Sequence, residues 1–291
     1  MTPELIEMAR EAGADLVGVA RVEDLKKSPS HAISERIADY GTVGTKSVEG
    51  RKKGQVDWPA GARSAIVVAV EHPPEKPELD WWVLGTRSTA GNTPGNRILM
   101  GIVDRLATWL ETEKSFRCFR LPYHIELGAI YMKDTAVLAG LGCIGRNNLV
   151  VTPQFGPRQR FRVMLVDADL PPTGPLTDFD PCLGCAMPCR SACPAGAFSA
   201  TMFTREQYGQ ECLPGRTGDF NRLLCGGIME RSVRECEPVA GEGGKGPGKM
   251  ARFCRQCELA CPVGGEVRPA ESLQGHAAAE RLCGPVVSRP R

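Results

Sequence analysis

Seven of the thirteen cysteines fall into two runs that each end in Cys-Pro. The first reads Cys182-x2-Cys185-x3-Cys189-x3-Cys193-Pro194, the second Cys254-x2-Cys257-x3-Cys261-Pro262. Thiolates at such spacings converge on one iron–sulfur cube, and the last cysteine of a run commonly reaches across to a second cube. The first run differs by one residue from the C-x2-C-x2-C-x3-C-P pattern of bacterial two-cluster proteins. The chemistry on offer is therefore one-electron transfer through two [4Fe–4S] clusters. At four ligands per cube, the two runs fall one cysteine short. Cys212, Cys225 and Cys236 lie between the runs and are the candidates for it.

Other uses of cysteine fit less well. Zinc binds Cys-x2-Cys pairs, but it does not need Cys-Pro endings and rarely takes four thiolates from so short a run. Disulfides belong to oxidising compartments. The opening MTPELIEMAREAGADL has no basic stretch, apolar stretch and cleavage site in succession, so a cytoplasmic location is expected. Cys118, Cys143, Cys283 and the two unused candidates read as buried thiols, which pack like small hydrophobes.

The elements that must hold these ligands can be read around them. With 42% hydrophobic and 24% charged residues, the 291-residue chain has the composition of a globular protein with ample core. A net charge of +2 argues against a general nucleic-acid-coating surface. No apolar run is long enough to span a membrane, so none is expected to. A helix with Leu5, Ile6, Ala9 and Ala12 on one face leads to a strand at Leu16–Ala20. Ala65–Val70 is an apolar run of strand length, and Asn96–Glu113 has the apolar period of an amphipathic helix, from Ile98 to Leu110. Ala136–Leu141 continues in helical pattern, and Asn148–Val151 and Phe161–Val166 read as strands. This alternation implies an α/β or α+β domain over residues 1–170. A loop rich in Pro, Thr and Asp then opens a second region, 171–291, in which Cys, Gly and Pro dominate and cluster ligands replace much of the core. Residues 240–249 read as a flexible surface insertion.

Gly140-Leu-Gly142-Cys-Ile-Gly145 matches the G-x-G-x-x-G dinucleotide pattern, but a helix precedes it and a strand follows, the reverse of the order that pattern requires. Such glycines pack backbone closely against something, either a bulky cofactor or a crowded turn. Trp81-Trp82 reads as a core anchor. Arg158, Arg160 and Arg162 alternate as on a solvated strand face, and together with Arg51, Lys52 and Lys53 they are the candidates for phosphate contacts.

The segment Ala139-Gly-Leu-Gly-Cys-Ile-Gly-Arg-Asn147, followed by a strand and the Cys runs, resembles the epoxyqueuosine reductase family, which reads A-G-L-G-W-I-G-K-N there. That family is similar in plan to the catalytic part of corrinoid reductive dehalogenases. The resemblance implies a nitroreductase-like, cobalamin-binding domain followed by a ferredoxin-like domain with two [4Fe–4S] clusters. It places Gly140, Gly142, Gly145, Arg146 and Asn147 at the cobalamin, with flavin as the alternative occupant. It assigns Cys182, Cys185, Cys189 and Cys261 to one cube, and Cys193, Cys254, Cys257 and Cys212 to the other. The family's catalytic Asp, in a D-x-x-P-x-x-E pattern thirteen residues before the motif, corresponds to Glu126, with Ala129 and Met132 replacing the Pro and second Glu.

The implied chemistry is a reductase: low-potential electrons, from a ferredoxin- or flavodoxin-type donor, pass through the clusters to a corrinoid that reduces a small-molecule or nucleoside substrate. Glu126 is the expected proton donor, since burial raises a Glu pKa, and Tyr123, His124 and Tyr131 are close enough in sequence to assist. tRNA is the substrate the family implies. The alternative is an electron-transfer protein that serves a partner and breaks no bond itself.

Overall fold

The computed structural model describes residues 1–36, 49–50, 52, 54–84, 93–239 and 248–264. Its centre is a four-stranded antiparallel sheet in the order β1 (Leu16–Arg21), β2 (Ser64–Glu71), β7 (Gln159–Val166), β4 (Cys118–Arg120). Smaller sheets are formed by β3 (Trp81–Leu84), β9 (Gly248–Arg252) and β8 (Glu237–Val239), and by β5 (Cys143–Ile144) with β6 (Val150–Val151). The helices are α1 (Thr2–Glu11), α2 (Val22–Lys26), α3 (Pro29–Ile33), α4 (Pro94–Glu113), α5 (Met132–Leu138), α6 (Pro188–Ser191), α7 (Arg205–Tyr208), α8 (Arg222–Arg234) and α9 (Gln256–Leu259).

β2 is buried from Ala65 to Val70 because both faces of the main sheet are covered. Ile66, Val68 and Val70 pack with Leu5 and Ala9 of α1 and with Leu99, Ile102 and Leu106 of α4. Ala65 and Val67 point the other way, into Leu25 of α2 and Ala136 and Leu138 of α5. The alternation of strand side chains thus divides one apolar run between two cores. Each pairing in the main sheet is antiparallel, so the fold is α+β rather than a parallel α/β sheet. α4 begins one residue after its cap: Thr93 accepts the Asn96 N–H at 3.2 Å and Pro94 takes the first turn. Ile98, counted with its apolar face in the sequence, is 47% exposed.

The division expected at residue 171 is bridged by hydrogen bonds. β3, from the first region, pairs along its length with β9 from the second, Trp81 opposite Arg252. Trp82 lies 5.9 Å from the Phe253 ring, and the Arg252 guanidinium stands 5.1 Å over Trp81. The tryptophan pair therefore anchors the strand that leads into the second Cys run.

Candidate iron–sulfur centre

The two Cys runs fold as short helices facing each other, α6 carrying Cys189 and α9 carrying Cys257, and these helices pack together. Each thiol's charge acts on particular others, and the twelve described cysteines separate accordingly. Cys182, Cys185, Cys189 and Cys261 form one set: Cys189 feels Cys261, Cys182 and Cys185, and Cys261 feels Cys182 and Cys185. Cys257 feels Cys225, Cys254 and Cys193, and Cys225 feels Cys193 and Cys254. Cys261 thus acts on the first run's thiols, and Cys193 on the second's.

Cys225, in the first turn of α8, stands in this second set, and α8 packs on β9 just before Cys254. Cys212 lies after α7, between the buried Tyr208 and Leu213, and is itself buried. Its carbonyl accepts from Gln210 Nε2 at 2.8 Å. Asn221 caps α8, accepting the Leu224 N–H at 3.0 Å.

Burial and then the neighbouring thiols push Cys257 up to about 12. Crowded thiols that resist ionisation are what a cationic iron site relieves, because the metal binds them as thiolates. Backbone donors already point at sulfur. Arg146 N–H meets Cys182 Sγ, Met187 N–H meets Cys185 Sγ and Ala197 N–H meets Cys193 Sγ, each at 3.4 Å. Such bonds stabilise thiolate charge and tune a cluster's potential. Thiol sulfur is the donor that iron–sulfur clusters take, while among the described residues no three candidate ligands close on a single metal ion. Cys143 is pushed up to about 12, first by burial and then by Asp180 and Cys182, and Cys118 to about 11 by burial and Glu111, so both stay protonated. Those two and Cys236 are half-buried, and Cys283 lies outside the described residues.

The glycine turn packs against the protein itself. A Cβ on Gly142 would stand 2.0 Å from the Val151 carbonyl oxygen, and one on Gly140 would stand 2.8 Å from Gly174 Cα. A Cβ on Gly145 would meet Asn147 Oδ1 and a Val151 methyl, both at 2.7 Å. Among the described residues these glycines pack the turn against the protein's own backbone. Of Arg146 and Asn147, expected at the same cofactor, the Arg146 backbone N–H meets Cys182 Sγ and Asn147 Nδ2 donates to the Cys257 backbone carbonyl at 3.4 Å.

The strand arginines are not a solvated face. Arg158 donates to the carbonyls of Cys261 at 3.1 Å and Val263 at 2.7 Å. Arg160 bridges Asp80 at 2.6 Å and Glu258 at 2.8 Å, while Arg162 donates to Asn96 Oδ1 and the Leu121 carbonyl. Arg158 and Arg160 thus dock the second Cys run to the sheet, and Arg162 ties β7 to α4 and the Leu121 segment. Of the other basic trio, Lys52 lies 4.0 Å from Glu35, and Arg51 and Lys53 lie outside the described residues.

Glu126 falls in a short 3-10 turn, Ile125–Leu127, and its side chain lies outside the described residues. Beside that turn, Leu121, Pro122, Tyr123, Ile130, Met132, Arg162 and Val163 line a hollow of about 200 Å³. Tyr123 stacks edge-on to His124 at 5.3 Å, and Tyr131 OH pairs with Ser34 Oγ at 2.8 Å. A second hollow, of about 350 Å³, lies between Ser28, Asp134 and Arg216.

Comparison with known proteins bears on the whole arrangement. The chain is 26% identical over 222 residues to an epoxyqueuosine reductase of Staphylococcus aureus, covering 72% of this chain and 54% of that one. It is 30% identical over 227 residues to a tetrachloroethene reductive dehalogenase of Dehalobacter restrictus, covering 70% of this chain and 39% of that one. The chain is thus similar both to epoxyqueuosine reductases and to reductive dehalogenases. It spans about half the length of the epoxyqueuosine reductases it matches. A crystal structure of epoxyqueuosine reductase with an epoxyqueuosine-modified tRNA stem loop superposes with a TM-score of 0.57 at 18% identity, over 98% of this chain and 69% of that one, which shows a shared fold. No family model matches the chain. Its relatives are reductases, and an oxidoreductase is what they support.

Proposed function

We propose that the chain is an iron–sulfur reductase whose two [4Fe–4S] clusters, held by Cys182, Cys185, Cys189 and Cys261 and by Cys193, Cys225, Cys254 and Cys257, pass single electrons to a bound acceptor. The observation that carries this reading is the division of eight thiols into two sets that exchange one cysteine between the runs. Cys225 is a candidate eighth ligand because it acts within the second set, and the buried Cys212 is the other candidate. The clusters supply one-electron transfer at low potential. The residues around them donate N–H groups to sulfur, exclude water and fix the spacing.

The resemblance gives a corrinoid as the acceptor and a nucleoside, in tRNA or free, as the substrate. Both described hollows are smaller than a corrin with its side chains, and the glycine turn is filled by the protein's own backbone. No step is therefore routed through a corrinoid. The hollow beside Tyr123 and the Glu126 turn is the candidate place for the reducible group, with Glu126 the candidate proton donor. The division into an N-terminal α+β part over 1–170 and a cluster part over 171–291 belongs to the same proposal. So does a cytoplasmic location with a ferredoxin- or flavodoxin-type donor. Among the described residues no helix is long and apolar enough to cross a membrane.

Anaerobic purification with iron, sulfide and corrinoid measured together tests the reading. About eight irons are expected in the native protein. Cys225→Ser is expected to lose the cluster EPR signal of one set, and Cys212→Ser to keep both. Loss in Cys212→Ser with retention in Cys225→Ser would reverse the ligand assignment. About eight irons without any organic cofactor would favour the electron-transfer role over the reductase.

A further inference from the structure

Cys261 ends the second Cys run, and the chain around it is held from outside that run. Arg158, 6% exposed and immediately before β7, donates from Nη1 to the Cys261 carbonyl at 3.1 Å and from Nη2 to the Val263 carbonyl at 2.7 Å. Pro262, between these two residues, has no N–H of its own with which to fix the segment. Backbone contact supports the same stretch. A Cβ on Gly156 would stand 1.9 Å from the Val263 carbonyl oxygen, and one on Gly264 would stand 2.2 Å from the Gly156 nitrogen. Both glycines hold a left-handed φ, 58° and 74°, so conformation and space together exclude a side chain.

The loop that supplies Arg158 is fixed in turn. Thr152 and Gly156 exchange backbone hydrogen bonds at 2.8 and 3.0 Å, and the buried Thr152 Oγ1 accepts the Phe155 N–H at 3.1 Å. Arg158 N–H donates to the Phe155 carbonyl at 3.1 Å, and the Arg158 carbonyl accepts the His72 N–H, just past β2, at 2.9 Å. The guanidinium therefore leaves a fixed corner of the main sheet and ends on the carbonyls either side of Pro262. A planar fork of N–H groups sets direction as well as distance, which a single contact does not.

A thiolate keeps its corner of a cube only while its own backbone stays in place. α9 ends at Leu259, two residues short of Cys261, and reaches it through the Cys261 N–H, which donates to the Glu258 carbonyl at 3.3 Å. We infer that Arg158 is a positioning residue for electron transfer: by fixing the Cys261–Val263 backbone it keeps Cys261 on the iron of its cube, so that the cube passes through oxidation with four irons. Without that hold, a [4Fe–4S]²⁺ cube oxidised by one electron releases one Fe²⁺ and leaves [3Fe–4S]⁺, the electron passing to the oxidant. The inference rests on the proposed iron–sulfur reading and is independent of which cysteine is the eighth ligand.

The test is a ferricyanide titration of the anaerobic holoprotein, followed by EPR with iron and sulfide analysis. Cys261→Ala records the three-iron signal that loss of this ligand gives. Arg158→Gln is expected to give the same signal, with about one spin and about one lost iron per protein, at a ferricyanide level where native protein keeps about eight irons. Gly156→Ala keeps the Arg158 charge but pushes on the Val263 carbonyl, and it is expected to convert in the same way. An Arg158→Gln protein as resistant as native would overturn the inference, as would iron lost from both cubes in step. Conversion in Arg158→Gln with native behaviour in Gly156→Ala would make the effect one of charge, and would overturn it too. If neither variant takes up iron, hydrogen exchange of native protein before and after iron removal decides, because a contact that positions Cys261 for iron is strengthened by iron in return. Loss of protection at residues 152–158 together with 254–264 supports the inference, and unchanged protection at 152–158 overturns it. Native protein without iron and sulfide would instead bring down the iron–sulfur reading, and this inference with it.

Discussion

His31 shows how one side chain can make the fold sensitive to acid. Its Nε2 accepts the Tyr131 N–H at 3.1 Å, so the proton sits on Nδ1, which pairs with Ser28 Oγ at 2.8 Å; Ser28 in turn donates to Asp134. Burial lowers the His31 pKa from 6.5 to about 4, partly opposed by Asp134. The unfolded chain therefore takes up this proton first as pH falls. Stability is expected to drop between pH 6.5 and about 4 and to level off below, by up to about 3 kcal/mol from this group. Urea unfolding of native protein and His31→Gln across that range would test it, the variant losing the pH-dependent component. At Gly142 the constraint is space, because a methyl would collide with the Val151 carbonyl. Gly142→Ala is expected to cost about 1–3 kcal/mol, read as a lower thermal midpoint. A variant as stable as native would show that the β5–β6 turn has slack.

Between elements, the connection of α9 to the sheet is ionic. Asp80 pairs with His72 at 3.1 Å and with Arg160; Glu258 accepts from Arg160 and from Arg255 Nε at 2.9 Å, and Arg255 lies 3.4 Å from Asp80. His72, Asp80, Arg255 and Glu258 are all buried. Burial would raise the Asp80 carboxyl, but His72, Arg160 and Arg255 outweigh it and hold the acid below its usual range. Its contribution is thus present above the usual carboxylate range and lost as pH falls through the folded value. Removing one partner strands the others in the interior. Glu258→Ala is expected to cost about 3–5 kcal/mol. Since Glu258 follows Cys257, iron content should fall with it, and unchanged unfolding with full iron would dissociate the ion pairs from the docking of α9.

For the molecule as a whole, buried apolar side chains and the Cys runs are unevenly distributed. The two large cores draw on residues 5–170, whereas between 180 and 264 few apolar side chains are buried, among them Ala197, Leu213 and Ala251. Metal binding supplies folding energy where core is scarce. Iron chelation is expected to expose residues 180–264 to protease first, leaving the main sheet and α1, α4 and α5 resistant. Simultaneous digestion of both parts would mean that the β3–β9 pairing and the buried ion pairs make one cooperative unit.

The sequence by itself determined what kind of protein this is, because ligand spacing and helical period are local. Cys-x2-Cys and Cys-x3-Cys spacings put thiols on one turn, and the α4 pattern from Leu99 to Leu110 is written in consecutive residues. β2 was legible as a strand, but an apolar run reports only that both faces are covered, not which way its neighbours run. Alternating arginines in β7 likewise look like a wet face until Asp80, Glu258 and the Cys261 carbonyl, distant in the chain, meet them. Only the tertiary structure decided these partners. A lone cysteine carries no spacing signal, and its role depends on which thiols the fold brings within reach of its charge.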